Sequence, residues 1–76
     1  MPSIVTIQPL DRYLIEVRFD NGSTIILNMA GKLHTARFRQ LRDKKLFESA
    51  TTDGGSIRWN DLIEISTTEI FEIAKK

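Results

Sequence analysis

Two runs of alternating apolar residues flank an Asp20-Asn21-Gly22 turn between Tyr13 and Met29, and no other stretch restricts the fold as tightly. Alternation at period two marks a half-buried strand, and an Asx-Gly pair between two such runs marks a β-hairpin. The register follows from the side chains. Tyr13, Ile15, Val17 and Phe19 share one face of the first strand, and Ile25, Leu27 and Met29 share one face of the second. A two-residue Asn21-Gly22 loop would set Val17 opposite Ile26 and divide the apolar residues between faces, because a slip of one residue inverts every side chain. A three-residue loop, a type I turn followed by a left-handed Gly22, sets Val17 opposite Ile25, Ile15 opposite Leu27 and Tyr13 opposite Met29. Leu14, Glu16, Arg18, Thr24, Ile26 and Asn28 then line the other face, which is mixed and half solvated.

The remaining elements extend this hairpin. Ile4 to Gln8 reads as a strand ended by Pro9, with a turn through Asp11-Arg12 into the hairpin. Met29 to Leu33 reads as a short turn or single helical turn interrupted by Gly31. Phe38 and Leu41 stand three apart, and Asp43 can cap a helix carrying Leu46, Phe47 and Ala50, so one helix or two short ones are expected there. Thr51 to Ser56 is a second turn, built around Asp53-Gly54-Gly55, and it leads into Ile57-Arg58-Trp59 and, after Asn60-Asp61, Leu62 to Ile65 as short strands. Ser66-Thr67-Thr68-Glu69 is a capping box that opens a C-terminal helix bearing Ile70, Phe71, Ile73 and Ala74, with Lys75 and Lys76 complementing its dipole.

A chain of 76 residues makes one domain, spanning 1–76, that buries only about 60% of the surface exposed when unfolded, which leaves little room for an enclosed active site. Zero cysteines exclude disulfides, thiol nucleophiles and cysteine-held zinc or iron. No charged n-region precedes an apolar segment, and no apolar run approaches the roughly 18 residues of a membrane span, so a soluble cytoplasmic protein is expected. The formal net charge is only +1, but it is unevenly placed. Lys32, Arg37, Arg39, Arg42, Lys44 and Lys45 stand against a single acid, Asp43, whereas acids predominate from Leu46 onward.

Four pieces in order carry a family likeness: Phe19-Asp20-Asn21-Gly22 after an alternating strand; Phe38, Leu41, Asp43 and Phe47 in an F-x-x-L-x-D-x-x-x-F spacing; Ile57-Arg58-Trp59 as an I-x-W strand; and Ile70-Phe71-Glu72 near the end. Together they resemble the bacterial family known as domain of unknown function 2442. The chain departs from that family after Trp59, where members usually show Pro-Asn-Gly and an acid and this chain has Asn60-Asp61. The resemblance implies a small α+β domain that stands alone or precedes a helix-turn-helix domain and is often encoded beside another small protein. That arrangement suggests a paired, regulatory role of toxin–antitoxin type. The family assigns no catalytic residues.

Among candidate residues, the basic segment from Lys32 to Lys45 is the one suited to phosphates, with Arg37, Arg39 and Arg42 at its centre; its competing reading is a solvated helix face. Trp59 suits a stacking platform or partner anchor, but burial of so large a ring in so small a domain favours a core position. His34 is the single histidine, with no acid beside it in sequence and no cysteine to share a metal. Asp20, Asp53 and Asp61 sit in turns, where carboxylates bond nearby N–H groups, and Ser66 serves as a helix cap. No enzyme, cofactor or metal site is expected. A small sheet also exposes edges, on which a partner strand or a second copy of the chain can pair.

These readings combine into an α+β domain: an antiparallel sheet of about five strands with an N-terminal meander, a middle helical segment and a C-terminal helix. The expected function is a non-enzymatic interaction module that binds a small partner protein and is able to form a homodimer. The alternative is a nucleic-acid-associated regulator that holds phosphates through Lys32 to Lys45.

Overall fold

The computed structural model describes residues 2–74. Strands β1 (Ile4–Pro9), β2 (Leu14–Phe19) and β3 (Thr24–Asn28) form one antiparallel sheet in that order. Val17 lies opposite Ile25 and Ile15 opposite Leu27, as the three-residue loop requires. The Phe19 N–H donates to the Ser23 carbonyl at 2.9 Å, the Gly22 N–H returns to the Phe19 carbonyl at 3.1 Å, and Gly22 is left-handed at φ 87°. Tyr13 joins the ladder through its carbonyl, which accepts the Met29 N–H at 2.9 Å.

The β1–β2 connection is less ordinary. Arg12 and Tyr13 both sit at φ 62°, and the Leu14 N–H donates to the Asp11 carbonyl. Successive left-handed residues are the pattern of a mirror-image turn, normally supplied by Asn, Asp or Gly, and cost about 1–2 kcal/mol each in other residues. Tyr13 is held there by its side chain. Its hydroxyl donates to the Arg42 carbonyl at 2.6 Å, and its ring meets Phe47 edge-on at 5.0 Å.

Between the sheets the chain forms 3₁₀ turns at Ala30–Lys32 and Arg39–Arg42 and one short helix, α1 (Lys44–Glu48). The expected helical segment is therefore broken into single turns. Buried Leu33, Phe38, Leu41 and Phe47 recur at uneven spacing, which no continuous helical stripe can satisfy. Asp43 is extended at φ −70°, ψ 111°, and its carboxylate accepts the Lys45 N–H at 3.0 Å, capping α1 as the sequence suggests.

A second antiparallel sheet contains β4 (Thr51–Thr52), β5 (Ser56–Arg58) and β6 (Glu64–Ser66), in that order. Among the described residues the strands thus number six in two three-stranded sheets, not about five in one. The sheets touch at a corner, where the Ile4 N–H donates to the Gly54 carbonyl at 2.8 Å. A register shift between Ile4 and Thr6, together with the two-residue length of β4, prevents that bond from growing into a ladder. Helix α2 (Thr67–Ala74) follows β6 directly. Its capping box is formed: the Glu69 N–H donates to Ser66 Oγ at 3.2 Å, and the Ser66 N–H donates to Glu69 Oε1 at 3.4 Å. Lys75 and Lys76, assigned to its dipole, lie outside the described residues.

The core lies between the sheets. Ile15, Val17 and Leu27 come from the first, Ile57 and Ile65 from the second, and Ile70 from α2. Trp59 is 5% exposed and belongs to this core. Its indole N–H donates to the Phe47 carbonyl at 3.1 Å, and its ring contacts Phe47 and Phe38 at 6.4 and 6.5 Å between centroids. The buried donor is satisfied, so the ring contributes its apolar area without a desolvation cost for the N–H.

Candidate functional site

The basic segment does not act as one patch. Phe38, Leu41 and Phe47 point inward, which turns Arg39, Arg42, Lys44 and Lys45 outward into solvent, and Lys32 is half-buried at the end of its 3₁₀ turn. Among the described residues these five make no ion pair. Arg37 does. Its guanidinium grips the Glu69 carboxylate with two hydrogen bonds of 2.5 and 2.9 Å, donates to the Glu64 carbonyl at 2.5 Å, and lies 4.7 Å above the Phe38 ring. The Arg37 hydrogen bond holds the Glu69 carboxyl below the usual carboxylate range, helped by the Ser66 N–H and opposed by partial burial. The same bond raises Arg37.

The turn acids behave as local structure. Asp20 accepts the Ser3 N–H at 3.1 Å, and Asp53 accepts the N–H groups of Gly55 and Ser56 at 2.9 and 3.0 Å. Those bonds, led by Gly55, hold Asp53 below the usual range. In the loop before β6 the work falls to Asn60 instead of Asp61: its side-chain oxygen accepts the N–H groups of Leu62 and Ile63, each at 2.8 Å. His34 is exposed in its loop. Among the described residues, no three His, Asp or Glu side chains gather as a metal-binding group.

The four outer strands show where another chain can attach. β1 is bulged, its Ile4 N–H is used by Gly54, and Pro9 has no N–H to offer. β4 is two residues long. β6 turns its outward groups to Arg37 and Glu69: the Glu64 carbonyl accepts from the guanidinium, and the Ser66 N–H donates to the Glu69 carboxylate. The Arg37–Glu69 pair is therefore an edge cap. Each of these is a recognised means of blunting a sheet edge.

β3 has none of them. Thr24-Ile25-Ile26-Leu27-Asn28 contains no charge, no proline and no bulge, and among the described residues its one strand partner is β2, with α2 packed beside it and Glu72 and Ile73 next to Asn28. The bonds from Phe19 to Ser23 and from Met29 to Tyr13 place the odd-numbered residues in the hydrogen-bonded pairs with β2. The N–H and C=O groups of Thr24, Ile26 and Asn28 accordingly point outward. Ile26, at their centre, is 51% exposed. Sequence places Ile26 on the mixed face but does not say which strand is outermost, since that depends on the second sheet forming separately.

A family model described as Protein of unknown function (DUF2442) matches residues 4–76. The chain belongs to this family. No curated protein and no solved structure matches it. The DUF2442 match spans the open β3 edge, the Arg37–Glu69 cap and the outward cations together, so the family boundary does not separate one candidate from another.

The edge cap has a pH signature. A carboxyl whose folded-state value is depressed contributes stability above its unfolded value, and that contribution is lost as pH falls through the folded value. Glu69→Gln retains the capping geometry and removes the charge. Because both partners are largely solvated, the wild type should exceed the variant by only about 0.5–1 kcal/mol at pH 7. In urea titrations this gap should shrink below about pH 4 and close once Glu69 is protonated. A gap that is independent of pH would show that the ion pair contributes nothing.

Proposed function

We propose that this chain is a non-enzymatic interaction module of the bacterial cytoplasm that takes an extended segment of a small partner protein onto the open edge of β3. The role is regulatory, of the kind performed by one member of a toxin–antitoxin-type pair. The observation that carries this reading is the contrast between edges: three are blunted, and β3, uncharged and regular, presents three outward pairs of main-chain groups. A strand added there gains main-chain hydrogen bonds for affinity, while Ile26 and its neighbours on the half-solvated face select side chains. The paired-gene habit that the family resemblance implies is consistent with a dedicated protein partner.

A second reading rests on a different observation. Arg39, Arg42, Lys44 and Lys45 are exposed and unengaged by acids among the described residues, within one short stretch. Such cations attract phosphates without sequence preference, and a nucleic-acid-associated regulator would use them, with Lys32 at the margin. Arg37 is already committed to Glu69 and would join only by giving up that pair.

The two readings separate cleanly. With tagged wild-type chain as bait in its native host, one stoichiometric small protein should be recovered, and Ile26→Lys should lose it while remaining folded; bait alone in both cases would reject the strand-acceptor reading. For the nucleic-acid reading, fluorescence anisotropy with short duplexes should give a log–log salt slope near about −3.6 if all four cations meet phosphates. Replacing Arg39, Arg42, Lys44 and Lys45 together by Gln should abolish that binding, and unchanged affinity would remove the idea.

A further inference from the structure

The geometry points to a binding site for one unpaired nucleotide of a single strand, in the cavity between the turn at Asp11–Tyr13 and α1. This rests on the nucleic-acid reading and names its ligand. Arg12 and Lys44, far apart in sequence, line one cavity of about 220 Å³. The turn is held there by the Tyr13 hydroxyl, which donates to the Arg42 carbonyl at 2.6 Å, inside the basic stretch. Arg12 thus joins Arg39, Arg42, Lys44 and Lys45 as a cation of that surface. Strain marks it. Left-handed at φ 62°, Arg12 is exposed, and its side chain makes no hydrogen bond or ion pair among the described residues. Tyr13 offsets the cost of the same conformation through its anchored ring and hydroxyl, whereas the Arg12 side chain offsets nothing within the chain. Glycine or asparagine would sit there more easily. An unpartnered arginine kept in a costly conformation points to contact with a ligand.

The rest of the lining selects that ligand. Leu10, Tyr13 and Phe47 supply apolar walls, and Asp11 and Glu48 stand beside the two cations. Among the described residues none of these four charged side chains forms an ion pair. A bare phosphate would meet both acids, and a wholly apolar ligand would leave all four charges unanswered. A nucleotide answers each part. Its phosphate takes Arg12 and Lys44, its flat base takes the apolar walls, and an amino group on the base donates to a carboxylate. Cytosine, adenine and guanine carry such a group, and thymine does not. The cavity is smaller than the roughly 300–1,000 Å³ that encloses a whole small molecule. It therefore fits one unit of a strand whose neighbouring phosphates lie on Arg39, Arg42 and Lys45. Base pairing would hide the amino groups, which makes an unpaired strand the ligand.

Fluorescence anisotropy of the full chain with short oligo(dC) and oligo(dT) reads the site directly. Oligo(dC) should bind at least about fivefold tighter than oligo(dT), and Asp11→Ala with Glu48→Ala should erase that preference. Arg12→Gly suits the left-handed backbone, so its urea midpoint should hold or rise. The same variant should move the log–log salt slope for oligo(dC) from about −3.5 to about −2.8, and Arg12→Lys should restore it. Free cytidine monophosphate, which lacks neighbouring phosphates, should compete only at concentrations far above those of the oligomer. Equal binding of the two oligomers, unchanged oligo(dC) affinity in Arg12→Gly, or competition by the monophosphate at the oligomer's own concentration would overturn the inference. If strands still bind in those cases and lose affinity when Arg39, Arg42, Lys44 and Lys45 are replaced, the cavity fails and the cation reading stands. If the wild type binds no nucleic acid, both fail.

Discussion

Every strand at the border of a sheet leaves main-chain donors and acceptors that water, a side chain or another strand must satisfy. A chain of 76 residues split into two three-stranded sheets has four such borders and few residues to spend on them. Much of its layout answers that demand. The Gly54 turn meets the start of β1, Pro9 ends that strand without a donor, β4 is cut to two residues, and Arg37 and Glu69 close β6. The same carboxylate completes the capping box of α2, so one side chain finishes both a sheet edge and a helix start. Against that background β3 differs: α2 packs beside it, but among the described residues it has no proline, bulge or ion-pair cap.

The interior ties the irregular helical segment to both sheets. Tyr13, Phe47, Trp59 and Phe38 make consecutive ring contacts, with Arg37 over the last ring, and so connect the first hairpin turn, α1, the end of β5 and the cap on β6. The Trp59 N–H and the Tyr13 hydroxyl each bond a carbonyl of the intervening helical segment, which fixes that irregular stretch between the sheets. Aromatic pairs of this kind add about 0.5–1.5 kcal/mol each beyond the area they bury, a large fraction of the stability of a small domain. The strained turn at Arg12 and Tyr13 is tolerable because Tyr13 is anchored at both ring and hydroxyl.

What the sequence reveals depends on how far apart the determining residues lie. The β2–β3 register was legible because alternation and a glycine turn are local, and so was the capping box at Ser66 and Glu69. Burial of Trp59 followed from its size. The division into two sheets was not legible, since it depends on a corner contact between Ile4 and Gly54 fifty positions apart. Nor was the commitment of Arg37. Its partner is 32 residues away, and nothing near Arg37 separates it from Arg39 or Arg42, which face solvent. The bare edge of β3 lies between these cases: its neutrality is plain in Thr24 to Asn28, but its outermost position emerges only once the second sheet stands apart.

The most direct test of an open β3 edge is amide hydrogen exchange read residue by residue in the intact chain. In dilute solution Ile25 and Leu27, bonded to β2, should exchange slowly, while Thr24, Ile26 and Asn28 exchange at nearly the rate of solvated amides. Slow exchange at Ile26 would mean that the edge is already covered within the chain and is not open to a partner.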